Sequence, residues 1–279
     1  MHNEKNKCDF ILGDMLPAGK FLVHSRFDNV INFTNTCNEI VFVTNIFENI
    51  ASNGIYIKNA ALSKDNSLSI SKDHITINGE KISTNKTTTY NSKLTFSDID
   101  HLAFEKKLIE IPENHNSLFP PESMLFVILP ERCRYFTKGF DHHFMKNSLE
   151  AAEHLSSERI EKGIKLLKGT GKGLTPSGDD FIAGLLFGLY FNEFKSQKCL
   201  ASLRKNIFRA AIGHNQLANT FLSNANRGNY FYLLKNFVIL SSKKEKPAVG
   251  LNQLLSLGAT SGADLLTGYI FCIKNKIGI

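Results

Sequence analysis

Cysteine is sparse in this 279-residue chain and follows no pattern. Cys8, Cys37, Cys133, Cys199 and Cys272 are scattered and odd in number, and none stands in a CxxC or other metal-ligand spacing. That excludes a disulfide framework and predicts free thiols in a reducing cytoplasm. Long apolar runs are missing too. The longest, residues 181–191, is broken by Gly184 and Gly188 and is far shorter than the roughly 20 residues a bilayer crossing needs. The N-terminus begins with mixed charge and lacks the apolar core of an export signal. The expectation is a cytoplasmic protein with no membrane segment. Arginine is scarce beside lysine within a formal net charge of +7, and no stretch reads as a densely basic helix. Reading of phosphate backbones would call for arginine's bidentate fork. A small anionic substrate or an acidic partner subunit explains the charge about as well as nucleic acid does, and DNA binding, resting on charge alone, ranks last.

Three further absences narrow the chemistry. No βαβ alternation occurs, which argues against a Rossmann sheet. No GK[ST] follows the glycines at the required spacing, so there is no Walker A loop, and GxGxxG is not completed either. No organic cofactor is expected. His142 and His143 adjoin Asp141 in an expected linker but lack a third ligand, so no zinc site is predicted.

What is present divides in character near the middle. Residues 20–129 favour short β runs at 21–27, 39–44, 54–58 and 124–129. Asn78-Gly79 lies between two more, the strongest short-range hairpin signal. A helix is expected around residues 96–108, and Pro120-Pro121 interrupts before the last strand. After about Phe140 the apolar period becomes helical. Ile160, Ile164 and Leu167 share a face, as do Leu200, Leu203, Ile207 and Ala210. Further faces are marked by Leu217, Phe221 and Ala225, by Leu233, Phe237 and Leu240, and by Leu251, Leu254 and Leu255. The expected class is α+β. A β-rich barrel or sandwich domain (1–140) would precede a helical domain (141–279) of about seven helices. The cluster Lys243, Lys244, Lys246 reads as a solvated loop.

The helical half carries the densest signal. GTGKGLTPSGDDFIAG, residues 169–184, sets three alternate glycines before a polar turn and an apolar run. Glycine at Gly169, Gly171 and Gly173 admits conformations closed to other residues and lets N–H groups approach a ligand. Ser177 reads as an N-cap with Asp180 as its capping-box partner. A glycine-rich loop feeding a helix start is a place to hold an anion. The grammar recurs in SGADLLTG, residues 261–268, where Ser261, Gly262, Asp264 and Gly268 match Ser177, Gly178, Asp180 and Gly184. Asp180/Gly184 and Asp264/Gly268 are (i, i+4) pairs, each placing a carboxylate above bare backbone on one face. The two helices are therefore expected to cross closely at Gly184 and Gly268. Capping is the first role of Asp180 and Asp264, so Asp264→Asn is expected to cost about 1 kcal/mol. Asp179 faces Ala263 in the second copy and is not needed for capping, so it is read as functional, with stability unaffected by Asp179→Asn. Lys172 has two readings, a phosphate ligand or a loop lysine facing water. His214 and Arg227, at helix ends, are weaker candidates.

GLTPSGDDFIAG with SGADLLTG resembles a bacterial domain family that includes the AllH-type subunit of oxamate carbamoyltransferase. The resemblance implies transfer of a carbamoyl group between oxalurate and phosphate, giving oxamate and carbamoyl phosphate, in allantoin and purine breakdown. In that system the activity is associated with several different subunits together. On that reading Gly169, Gly171, Gly173 and Gly178 shape a phosphate cradle aided by Lys172, with Ser261 and Asp264 beside it. Thr175 and Ser177 donate to oxygens that gain charge as the carbonyl becomes tetrahedral. Asp179 with Asp180 would hold a Mg²⁺ ion. The alternative is a metabolite-binding or scaffolding subunit whose partner performs the chemistry.

Overall fold

The computed structural model describes residues 9–58, 67–97, 99–243 and 247–279, so Cys8, Lys244 and Lys246 lie outside the described residues. Contacts separate the chain into two units. The first comprises residues up to Lys93 together with Asn229–Lys235; the second comprises Leu94–Gly228 and Asn236–Ile279.

In the first unit, alternating apolar residues among those described form nine strands. They are β1 (Phe10–Gly13), β2 (Gly19–Phe27), β3 (Val30–Thr34), β4 (Ile40–Thr44), β5 (Gly54–Ile57), β6 (Leu68–Ile70), β7 (His74–Ile77), β8 (Glu80–Ser83) and β9 (Thr88–Tyr90). They make one sheet in the order β8-β7-β6-β2-β3-β4-β5-β1-β9, parallel only at β4–β5 and β1–β9. The sheet curls into a half-barrel, the form that the β-rich barrel or sandwich expected of this half takes, and the α+β class holds. Period-2 alternation turns Phe21, Ile31, Phe33, Val41, Val43, Ile55 and Ile75 into one core. Asn78 (φ 53°) and Gly79 (φ 84°) take the left-handed conformations that a tight hairpin of this kind requires.

The second unit is helical: α1 (His101–Asn114), α2 (Gly139–Ser156), α3 (Ile160–Leu167), α4 (Ser177–Ser196), α5 (Ala201–Ala211), α6 (Gln216–Asn226), most of α7 (Tyr232–Ser242), α8 (Pro247–Leu255) and α9 (Ser261–Lys274). Two expectations fail here. The apolar run 124–129 is no strand: Met124–Val127 is a 3₁₀ turn whose Met124, Leu125 and Phe126 are all buried. A short run buried all round carries no period, and Pro130 ends it. His142 and His143 lie within α2 rather than in a linker, bonded to the Phe136 carbonyl oxygen and to Asn147.

α4 has no polar face through its middle turns. Phe181, Ile182, Leu185, Leu186, Phe187 and Leu189 are all interior, as suits a helix enclosed by others. Its main partner is α9. The seam follows one (i, i+4) row on each helix: Asp180, Gly184, Gly188 and Asn192 against Asp264, Gly268 and Cys272. A Cβ on Gly184 would overlap the Leu265 carbonyl oxygen, and one on Gly268 would overlap that of Phe181. Gly188 meets Cys272, and Asn192 Nδ2 donates to the carbonyls of Cys272 (3.2 Å) and Ile277 (2.9 Å). The close crossing read from the glycine spacing is present, and it is reciprocal.

The repeat extends further back than the sequence suggested. Gly178 packs on the carbonyl of Leu167 at the end of α3, and Gly262 on that of Leu254 near the end of α8. Thr170 N donates to Leu167 O and Gly178 N to Thr170 O; Leu257 N donates to Leu254 O and Gly262 N to Leu257 O. The pairs α3–α4 and α8–α9 are thus two copies of one helix–turn–helix unit. The connection is longer in the first copy, where it holds the glycine-rich loop.

Candidate functional site

The helix starts differ by one position from a capping box. Pro176 (φ −60°, ψ 142°) and Thr260 occupy the N-cap positions, and neither makes a side-chain cap. Ser177 and Ser261 are therefore the first helical residues, and Asp180 and Asp264 point across the seam instead of back along their own helices. Asp180 is held by Ser261 of the other copy and by Thr175, whose Oγ1 donates to Oδ2 at 3.1 Å. Asp264 Oδ1 accepts from Met124 N at 2.6 Å, with the hydroxyls of Thr260 and Ser177 beside the carboxyl. Its Oδ2 is buried without a hydrogen-bond partner of ordinary geometry among the described residues. Ser177 serves Asp264 and Ser261 serves Asp180, the same exchange in both directions.

Burial dominates the electrostatics. Asp180 is 1 % exposed and Asp264 fully interior. Desolvation, then the neighbouring Asp264, push Asp180 well above the usual carboxylate range, against the pull of Ser261 and Thr175. Desolvation raises Asp264 to about 7, opposed by Met124 N–H, Thr260 and Ser177. Two carboxyls facing each other without a cation do not both ionise readily, so the pair holds a proton near neutrality.

Asp179 is buried, with Oδ1 accepting from Gly169 N at 2.8 Å. Its pKa is raised by burial and drawn down by that bond and by Lys168. It ties the glycine loop to α4, a role that its absence from the second copy, where the loop is shorter, accounts for. Asp179 and Asp180 do not fit a Mg²⁺ site. Each is turned to a protein donor, whereas Mg²⁺ keeps several waters of its own. Among the described residues no group of three His, Cys, Asp or Glu side chains gathers either.

The loop itself lies at the surface. Gly169, Gly171 and Gly173 have φ of 67°, 98° and 105°, and a Cβ on Gly171 would press on Ser177. Among the described residues, no backbone N–H of residues 171–175 donates to a backbone carbonyl outside regular secondary structure. Lys172 is exposed, paired with Asp141 at 2.6 Å and lying over the Phe140 ring. Thr175, half-buried, lies between the loop and the carboxyl pair, its Oγ1 also 3.3 Å from Ser261 Oγ.

Residues 167–273 match the family model for the oxamate carbamoyltransferase subunit AllH. This AllH match begins at the end of α3 and runs through α9, taking in both helix starts and the glycine loop. No solved structure matches the chain. No helix among the described residues is long and apolar enough to cross a membrane.

Residue-type reasoning missed Asn215. Its Oδ1 caps α6 through Ala218 N (3.1 Å), and its Nδ2 donates to Leu174 O (2.7 Å), fixing the loop from outside. The sequence pointed to its neighbour His214, which is exposed. Met124 was missed as well, because a backbone N–H leaves no trace in residue type. Asn215→Ala should cost about 1 kcal/mol through the lost cap and speed amide exchange across residues 171–175. Unchanged exchange there would mean that the Leu174 contact does not hold the loop.

Proposed function

We propose that this chain is the AllH-type subunit of an oxamate carbamoyltransferase, working with other subunits, and that it holds phosphate or carbamoyl phosphate at residues 171–175. In the reaction considered, a phosphate oxygen attacks the ureido carbonyl of oxalurate. The C–N bond then breaks, oxamate leaves with a proton on its nitrogen, and carbamoyl phosphate remains. Loop N–H groups would meet the anion's oxygens, with Lys172 at the rim, as anions are met at helix starts. Thr175 carries the reading. Its hydroxyl is the outer end of a hydrogen-bonded chain into a carboxyl pair that holds a proton near neutral pH; with that proton on Asp180 the carboxyl donates to Thr175 Oγ1, and the Thr175 hydrogen is released to meet an oxygen gaining charge. Asp180 and Asp264 act through it as positioning residues. The pathway, purine and allantoin breakdown, follows from the family resemblance.

One observation favours the second reading, a metabolite-binding or scaffolding subunit. Ser177, Asp179, Asp180 and Asp264 are each at most 5 % exposed and engaged by the protein, so none of them can itself touch substrate in this arrangement. Co-purification from the host, then assay of carbamoyl transfer with and without this chain, separates the two. With Thr175→Ala in the intact complex, turnover should fall by roughly a hundredfold while phosphate binding persists. Lys172→Ala should weaken phosphate binding. If the complex tolerates both together, the loop is structural and the catalytic reading fails.

A further inference from the structure

The first unit contains a second polar cluster, unrelated to the glycine loop. Asn91, Ser92 and Lys93, which follow β9, run between Asp14 on one side and Asn229–Lys235 on the other. Asp14 Oδ2 accepts from Ser92 N (2.9 Å) and Ser92 Oγ (3.0 Å). Ser92 O in turn accepts from Tyr230 N (2.9 Å), and Tyr90 Oη donates to Tyr230 O (2.9 Å). Lys93 Nζ donates to Asn229 Oδ1 (2.6 Å), and Lys235 Nζ to Asn91 O (2.8 Å).

This network leaves specific atoms over. Asn229 is 2 % exposed, yet among the described residues its Nδ2 has no partner, and buried Asp14 Oδ1 has none among them either. Lys235 is 9 % exposed, has three N–H groups, and makes one hydrogen bond and no ion pair among the described residues. Burial lowers its pKa, with Asp14 drawing it back up. Its stem lies against the β unit with Nζ 5.8 Å from the Tyr90 ring centre. Buried polar atoms without partners are few in folded proteins, and two in one network, beside a buried lysine with donors to spare, call for a cause. Two donors, one of them a cation, stand with one anionic acceptor.

We propose that this cluster binds a small monocarboxylate that carries an amide. Its carboxylate would meet Lys235, its amide carbonyl would accept from Asn229 Nδ2, and its NH₂ would donate to Asp14 Oδ1. Such a ligand satisfies all three groups, and its single negative charge together with that of Asp14 balances Lys93 and Lys235. The choice of oxamate as representative rests on the carbamoyltransferase reading; the donor and acceptor pattern does not.

The test is calorimetric titration of the whole chain with oxamate and with acetate, which lacks the amide. Oxamate should bind more tightly than acetate. Lys235→Met, which keeps the stem, should weaken oxamate binding at least tenfold. Asn229→Ala is a second variant that spares the charge, and it should weaken oxamate more than acetate. No oxamate binding to folded protein, or binding unchanged in both variants, overturns the proposal. Oxamate binding lost with Thr175→Ala and kept with Lys235→Met places the ligand at the glycine loop, which also overturns it and leaves the carbamoyltransferase reading standing. Binding at Lys235 by a chain that adds nothing to carbamoyl transfer in the complex supports the site and removes that reading instead.

Discussion

Gly184→Val should unfold the helical unit at markedly lower denaturant, with a loss of about 3 kcal/mol or more. Overpacking usually costs about 1–3 kcal/mol because side chains can shift. Here the first added carbon already falls on the Leu265 carbonyl, so backbone must move against backbone. Gly268→Val should behave alike, its Cβ falling on Phe181 O. The double variant should cost clearly less than the two losses added, since either change opens the same seam and relieves the other. Equilibrium unfolding of the three variants decides the matter. Strict additivity would show that the two glycines do not share one crossing.

Asp264→Asn should stabilise the protein at pH 8. The folded pKa, about 7, lies above the ordinary 3.8, so the native state favours the protonated form. The stability this group contributes is therefore fully present below about pH 4 and is lost as pH rises through 7. Asparagine stays neutral throughout, and its Oδ1 can still accept from Met124 N while Nδ2 faces the Thr260 and Ser177 hydroxyls. The variant should gain on the order of 4 kcal/mol over the parent at pH 8, with the gain vanishing toward pH 4. Removing Asp264 should also lower the Asp180 pKa, since the neighbouring carboxyl is among the groups raising it. Thermal unfolding of both proteins across pH 4–8 measures this. A variant less stable than the parent at every pH would show that the carboxyl is held ionised by its donors.

That outcome reverses the loss of about 1 kcal/mol that the capping-box reading carried, and the reason is a shift of one residue. Serine followed three places later by aspartate looks the same whether serine is the N-cap or the first helical residue. Only the backbone at Pro176 and Thr260 distinguishes them, and the shift sends each carboxylate to the other helix. The glycines were more readable, since an (i, i+4) spacing fixes a face however the helix begins. So Ser177, Ser261 and the Gly184–Gly268 crossing could be placed from sequence, as could Asn78-Gly79 and five of the amphipathic helices. The strands β1, β3, β6 and β9 escaped because their pairing partners, not their own few residues, define them. The tie from Asp179 to the loop was hidden for a related reason: its bond to Gly169 N depends on how the loop folds back, which residue type does not encode.

The α4–α9 seam also governs the order in which this protein can be completed. Thr175 and Ser261 meet although they are 86 residues apart. While the ribosome makes that stretch, α4 has been synthesised without the surface that encloses it. A helix with almost no polar face then stays open to other chains, the condition under which nascent proteins aggregate. Nothing local can finish the core early, and closing so long a loop slows the step that does. Emergence of α9 is therefore the event that commits the unit. Chains stopped short of residue 261 should be found with chaperones or in the insoluble fraction, whatever the quality of the sheet made before them.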